Sequence, residues 1–364
     1  MANKYIKIIV CFLLGIQINS CQMKNEKIPG WHAEMCLPEN EYRIDMVKDQ
    51  IFTLEGARAG MPYGGSSGRW GSSGKMWTEQ HGTPIGADLT YYAGYDNTFY
   101  RLKIDFPVER MKDLVRRNYA YREVKNKAIE EYKYDGDSDL QYIMDDTDAA
   151  YKSYDRMSSL IFGFAPKGMV VVWVNYGLTV IEIGRYQAKV ITDPKELESA
   201  KKRYLQIWRF SPARFDELAK EFSVPDANCE LWDMFRLRYN WKPVFTSENP
   251  NFRLFTINTE YYNGEKDQMM RPWLLENKMR GRALPNVFQF FWETGIGQKF
   301  EGRIFFNQNE IFNRFKGLSG DNEIQVKIDK DNRSLEVLLN NQKLDVDSIR
   351  IYPNSKREFN DSYK

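Results

Sequence analysis

The chain has little of what most catalytic sites are built from. Histidine occurs twice in 364 residues, at His32 and His81, so a serine triad or a histidine-based zinc site has only that pair to draw on. His32 and Cys36 stand four apart with Glu34 between. The spacing would suit a metal on a helix, but the aromatic neighbourhood reads as the end of a strand, and structural roles are expected. An excess of one charge is missing too. Lys4 and Lys7 fall in the first twenty residues, which hold no acid, and the remainder carries 50 basic against 50 acidic groups. A neutral body has no field to attract nucleic acid or an anionic membrane. The apolar run Ile8 to Ile18 is eleven residues, whereas a bilayer-spanning helix needs about twenty. No carboxylate pair stands out for glycoside hydrolysis, because 50 acids supply suitable spacings by accident.

The short run has a different meaning. Basic residues, an apolar stretch and small residues follow one another in the order of a secretory signal. The ending Ile18-Asn19-Ser20-Cys21 resembles the lipobox of bacterial lipoproteins, which implies cleavage before Cys21 and lipidation of its thiol. The expected address is the cell envelope, lipid-anchored at the outer membrane through Cys21, since two or three acyl chains hold firmly where one does not. Of four cysteines, Cys11 leaves with the signal and Cys21 carries the lipid. Cys36 and Cys229 remain, either as a disulfide or as two buried free thiols.

Taking the first 20 residues from 364 leaves 344, enough for one large domain or two ordinary ones. The composition is globular, with aromatics at 15%, which speaks against general disorder. The same unit reads twice. Ala87–Phe106 aligns with Phe288–Asn307 at a constant offset of 201: Leu89 on Phe290, Tyr91 on Trp292, Gly94 on Gly295, Phe99 on Phe300, Ile104 on Phe305. Each copy reads as strand, Gly-containing turn, strand, then helix. Trp31 through Ile44 echoes Trp241 through Leu254. Leu160–Gln187 and Ile324–Tyr352 both read as three-stranded meanders. Between the copies, Asp193-Pro194 and Ser211-Pro212 open helices with a capping residue before proline.

The resulting expectation is an α+β protein of two related antiparallel-sheet units, each a hairpin, a helix and a three-stranded meander, joined by a helical connector. Its boundaries are a signal at 1–20, a tether at 21–30, a first unit at 31–191, a connector at 192–240, a second unit at 241–354 and a polar tail at 355–364. Two segments break the symmetry: the Gly/Ser loop 56–77 and the insertion 117–157. Function is sought there, since loops carry it more often than framework does.

Ala165-Pro166-Lys167-Gly168, Val172-Trp173 and Ile183-Gly184-Arg185-Tyr186-Gln187-Ala188 resemble a lipoprotein family of Gram-negative bacteria, catalogued as domain of unknown function 2931. Leu231-Trp232-Asp233, Arg236, Arg238-Tyr239-Asn240-Trp241 and Pro243-Val244-Phe245 are similar to that family's other signature, and Arg69-Trp70-Gly71 to its Gly-Trp-Gly region. The resemblance names no activity. Through relatives that act as immunity lipoproteins against secreted toxins, it implies an immunity-like role.

Three constellations deserve a chemical reading. Asp135, Asp137 and Asp139 alternate as in a calcium loop, and Asp146 takes the twelfth position. Leu140 stands at the sixth, where glycine makes the sharp turn, so a solvated acidic loop is preferred and calcium is kept as a candidate. The Gly/Ser loop lacks the lysine-serine pair of a phosphate cradle. Tyr63, Arg69, Trp70 and Trp77 on it form a candidate binding surface, since aromatics and arginine dominate binding hot spots. No cofactor is implied. The reading leans away from an enzyme and towards binding or protein interaction, with an unidentified protein or glycan as partner. The alternative is a carbohydrate-binding or carbohydrate-degrading lipoprotein, with Trp70 and Trp77 exposed in a cleft.

Overall fold

A computed structural model describes residues 28–63, 68–73, 75–124, 128–138, 140, 153–295, 297–357 and 359. The signal, Cys21 and the tether as far as residue 27 lie outside the described residues. The fold is mostly β, with helices α1 (Val108–Arg116), α2 (Pro194–Trp208), α3 (Pro212–Glu221), α4 (Glu230–Phe235) and α5 (Gln308–Phe315), in keeping with the α+β class.

In the first half, Gly30–Cys36 runs parallel to Ser159–Ala165 and antiparallel to Lys75–His81. Ser159–Ala165, Met169–Asn175 and Val180–Gln187 form the expected meander. A second sheet is ordered Lys189–Val190, Thr98–Asp105, Pro84–Ala93, Ile44–Lys48. Side chains alternate across its strands. Leu89, Tyr91 and Leu102 point inward onto Trp31, Phe162 and Val172. Tyr92 and Phe99 point outward, where Tyr204 of α2 and Phe215 of α3 cover them. The connector helices therefore cap a sheet face. Their caps form as the sequence requires: Asp193 accepts from the Glu196 N–H at 2.8 Å and Ser211 from the Arg214 N–H at 3.1 Å.

In the second half, Tyr239–Ser247 runs parallel to Asn322–Ile328 and antiparallel to Arg280–Arg282. Asn322–Ile328 continues antiparallel into Leu335–Leu339 and Gln342–Lys343. The facing strands are ordered Val346–Pro353, Gln298–Phe306, Pro285–Thr294, Arg253–Tyr261, Lys266–Met270. Between them lie Trp241, Phe288, Phe290, Trp292, Ile304, Ile311 and Phe315. Trp31 and Trp241 occupy matching places. Each is buried, the Trp31 Nε1–H donating to the Gly82 carbonyl at 2.7 Å and the Trp241 Nε1–H to the Ala283 carbonyl at 3.1 Å.

One sheet runs through both halves. The five strands from Lys75–His81 to Val180–Gln187 continue into the five from Lys266–Met270 to Val346–Pro353, giving ten. The seam is a single pairing, Val180 opposite Lys266.

Three expectations are corrected. The sheets are not wholly antiparallel, since each half holds one parallel pair. The third strand of the second meander is only Gln342–Lys343; Val346–Pro353 crosses to pair with Gln298–Phe306 instead. The offset of 201 does not persist. Ala87 faces Ile104 and Phe288 faces Ile304, so beyond the turn the matching positions are 200 apart. A one-residue slip in a strand swaps faces, and Phe99 indeed points outward while Phe300 lies in the core.

The described residues of the insertion 117–157 include a small three-stranded sheet, with Arg117–Ala120 between Tyr132–Tyr134 and Tyr154–Arg156. Although it leaves the chain in the first half, Ala120, Ile129, Leu140 and Tyr154 pack on Met270 and Trp273 of the second.

Candidate functional site

The expected aromatic surface is not assembled as one patch. The Trp70 indole is half-buried and packs edge-on against Trp173, ring centres 5.0 Å apart, and against Trp232 at 6.4 Å. It sits over Gly163, where a Cβ would stand 2.7 Å from the ring. Tyr63 belongs to the first core and donates to Asp49, and burial pushes its hydroxyl up to about 12. Arg69 is exposed, and Trp77 stands in Lys75–His81 with its side chain outside the described ones. Trp70 thus packs on Trp173 and Trp232 with one part of its ring buried.

The neighbouring Gly71 explains what the loop does. Its backbone abuts Gly264 in the turn of the second half, so closely that a Cβ would stand 2.3 Å from the Gly264 oxygen. Glu182 ties the same joint. It is 8% exposed and accepts from Arg236 Nε at 2.9 Å and Nη2 at 2.6 Å. Such a buried, doubly bonded pair holds geometry more than it adds stability.

The calcium candidate is divided. Asp135 accepts from Asn118 at 2.7 Å, and Asp137 accepts from the Tyr134 N–H at 2.8 Å. Asp139 and Asp146 lie outside the described residues. Among the described residues, no three metal-ligating side chains gather. His32 lies on a strand, its Nδ1 3.3 Å from the Ser158 carbonyl. Cys36 and Cys229 are both free thiols. Burial raises Cys36 to about 12.

A different place concentrates charge. At the seam between the halves lies a cleft of about 310 Å³. Arg117, Tyr119, Glu131 and Tyr132 come to it from the insertion, Thr179 to Ile181 from the first half's meander, and Arg238, Tyr261, Glu265 to Asp267 and Arg280 to Ala283 from the second half. Four of its five cations have carboxylate partners. Arg238 donates to Glu265 at 2.7 Å. Arg280 bonds Asp267, and Glu131 at 3.4 Å. Arg117 pairs with Asp113 at 2.6 Å and Lys266 with Glu260 at 3.2 Å.

Arg282 is the exception. It is 4% exposed. Its Nη2 donates to the Asn277 side-chain oxygen at 3.1 Å, and its guanidinium lies 5.4 Å from the centre of the Trp241 ring. Nε and Nη1 have no hydrogen-bond partner among the described residues. Burial pulls its pKa below the usual arginine value, with Arg280 acting in the same direction and Tyr261, Asp267 and Glu131 opposing in part.

Reasoning from sequence missed this cleft. Arg280-Gly281-Arg282 carries no motif that marks it in the sequence. Arg280 and Arg282 share one face of their strand, which is paired to Tyr239–Trp241, and only burial separates the exposed first arginine from the buried second. Arg238 appeared in the family signature without a role.

Residues 138–225 match the model of a family described as a protein of unknown function (DUF2931). No curated protein matches the chain, and no solved structure does.

Proposed function

We propose that this protein is a lipid-anchored binding module of the cell envelope, made by duplication of one two-sheet unit, with its ligand site in the cleft between the copies. The observation that carries the binding reading is the cleft itself. Three separate stretches of chain bring charged and aromatic side chains to one concavity, and such places between units are where ligands bind. Duplication is supported by the recurrence of the parallel pair, of the four-strand order around each hairpin, and of the Trp31 and Trp241 hydrogen bonds. The anchor is supported by the signal-like start and by Cys21. It also fits the described body, in which no helix is long and apolar enough to cross a membrane.

The anchor is tested by palmitate labelling and membrane fractionation of the full chain and of Cys21→Ala. The full chain takes up label and sediments with the outer membrane, and the variant does neither. Continued labelling of the variant overturns lipidation at that cysteine. The cleft is tested by incubating the chain with the small-molecule fraction of an envelope extract and following hydrogen exchange. Protection centred on strands Arg280–Arg282 and Lys266–Met270 supports the cleft. Protection elsewhere only, or none, counts against it.

A further inference from the structure

We infer that the cleft takes a small organic anion, and that Arg282 is the residue its carboxylate or phosphate group satisfies. The inference rests on the binding reading above and specifies the ligand's chemistry.

The argument begins with cost. A guanidinium removed from water loses several kcal/mol of solvation unless hydrogen-bonded anions replace that water. The other four cations of the cleft obey this rule, each with its carboxylate. Arg282 is the most buried of the five, and its Nη2 has only neutral acceptors, the Asn277 amide oxygen and the Met269 sulfur at 4.0 Å, beside an aromatic face. A ring face returns about 2 kcal/mol, and two N–H edges stay unanswered among the described residues. Within the cleft the nearby carboxylates are already engaged: Asp267 and Glu131 by Arg280, and Glu265 by Arg238. Among the described residues, the fold therefore keeps a buried positive charge with no carboxylate partner.

Arginine's planar fork fits carboxylate and phosphate oxygens two at a time. The cleft volume of about 310 Å³ lies at the lower end of small-molecule sites, too small for a folded partner. Tyr119, Tyr132 and Tyr261 on its walls give the body of such a ligand apolar surface with polar tips. Carrying an unsatisfied cation costs stability, and proteins accept that cost at binding sites.

The experiment is calorimetric titration and thermal unfolding of the full chain with three probes at matched ionic strength: inorganic phosphate, citrate and maltose. Saturable binding of phosphate or citrate, with maltose silent, supports the inference, and the tighter of the two identifies the preferred anion. Arg282→Met should weaken that binding roughly ten- to hundredfold, the range for a lost charged hydrogen bond. In the ligand-free state the same variant should melt higher than the parent, because the desolvated charge is gone. Should Arg282→Met not fold, Arg282→Lys keeps the charge without the fork and should still lose about tenfold. Unchanged anion affinity in whichever of these variants folds, or no anion binding by the parent, overturns the inference. Binding of maltose alone also overturns it but leaves the cleft as a ligand site.

Discussion

The two halves of this molecule spend the same strands differently. In the first, the meander's third strand, Val180–Gln187, is eight residues, and the strand after it, Lys189–Val190, is two. In the second the lengths are reversed: Gln342–Lys343 is two residues and Val346–Pro353 is eight. The long strand thus extends the meander in the first half and the hairpin in the second. Each long strand lies in the shared ten-stranded sheet, Val180–Gln187 at the seam and Val346–Pro353 at the far edge. The second half adds Lys266–Met270 beside the seam. The first adds the Gly/Ser loop, whose Gly71 meets Gly264, and the insertion, whose Tyr154 and Ile129 rest on Met270 and Trp273. The departures from symmetry add to the core that the halves share, where Ile161, Val171 and Trp173 cluster with Trp241 and Ile257, and they wall the cleft.

The comparison breaks most directly at the paired tryptophans. Trp31→Ala and Trp241→Ala each remove a fully buried indole together with a hydrogen bond to a backbone carbonyl. Each should cost about 3–5 kcal/mol, read from urea unfolding of the single variants. If the halves are equivalent frameworks, the two losses agree within about 1 kcal/mol. A loss in one and near-neutrality in the other would show that only one half relies on this tie.

The joint comes next. Gly71 has φ +73°, and any Cβ there meets backbone, which no rotamer change relieves. Gly71→Val should therefore cost about 3 kcal/mol and act on the seam more than on either core. Hydrogen exchange should rise first around Gly264 and Val180, while the amides of Trp31 and Trp241 stay protected. If exchange rises evenly through both halves, the joint is not a separate element.

How much of this was legible beforehand depends on range. Local signals read well: the capped prolines at Pro194 and Pro212, the strand–turn–strand units and the echo of Trp31 in Trp241 were visible as spacing and residue type. Register was not. Nothing before the turn at Gly295 announces that the second hairpin is one residue tighter, so Phe99 and Phe300 looked equivalent while pointing to opposite faces. Partner strands were not legible either, because Val346–Pro353 is as good a neighbour for Leu335–Leu339 by composition as for Gln298–Phe306. The site failed for the same reason. Trp70 looks like a contact residue on a Gly-rich loop until Gly163 opens a place for it, and nothing in the sequence around Arg282 marks it as buried.

The smallest effect falls on one pair of matching positions. Asp88 in the first half is followed 201 residues later by Gln289 in the second. Asp88 is buried and accepts from Arg101 at 3.0 and 2.9 Å and from Lys48 at 3.1 Å; Arg101 reaches on to Glu196 of α2 at 3.0 Å. Hydrogen bonds from Arg101 hold its carboxyl below the usual aspartate value, against the opposing effect of burial. Gln289 donates to Glu301 at 2.8 Å and accepts from Asn258 at 3.2 Å, and an amide does not titrate. A depressed carboxyl pKa contributes stability that is complete above the unfolded value, near 4, and is lost as pH falls through the folded value. Asp88→Asn should therefore cost about 1–2 kcal/mol at neutral pH, discounted for the half-exposed cations. The difference from the parent should shrink as acidity increases below about pH 4. Gln289→Ala removes a neutral donor to Glu301 rather than a charged group, and should show a smaller change with pH over the same range. Urea midpoints of the three proteins across that range decide it: parallel curves for parent and Asp88→Asn would mean that this position, charged in one half and neutral in the other, does not make the halves respond differently to acid.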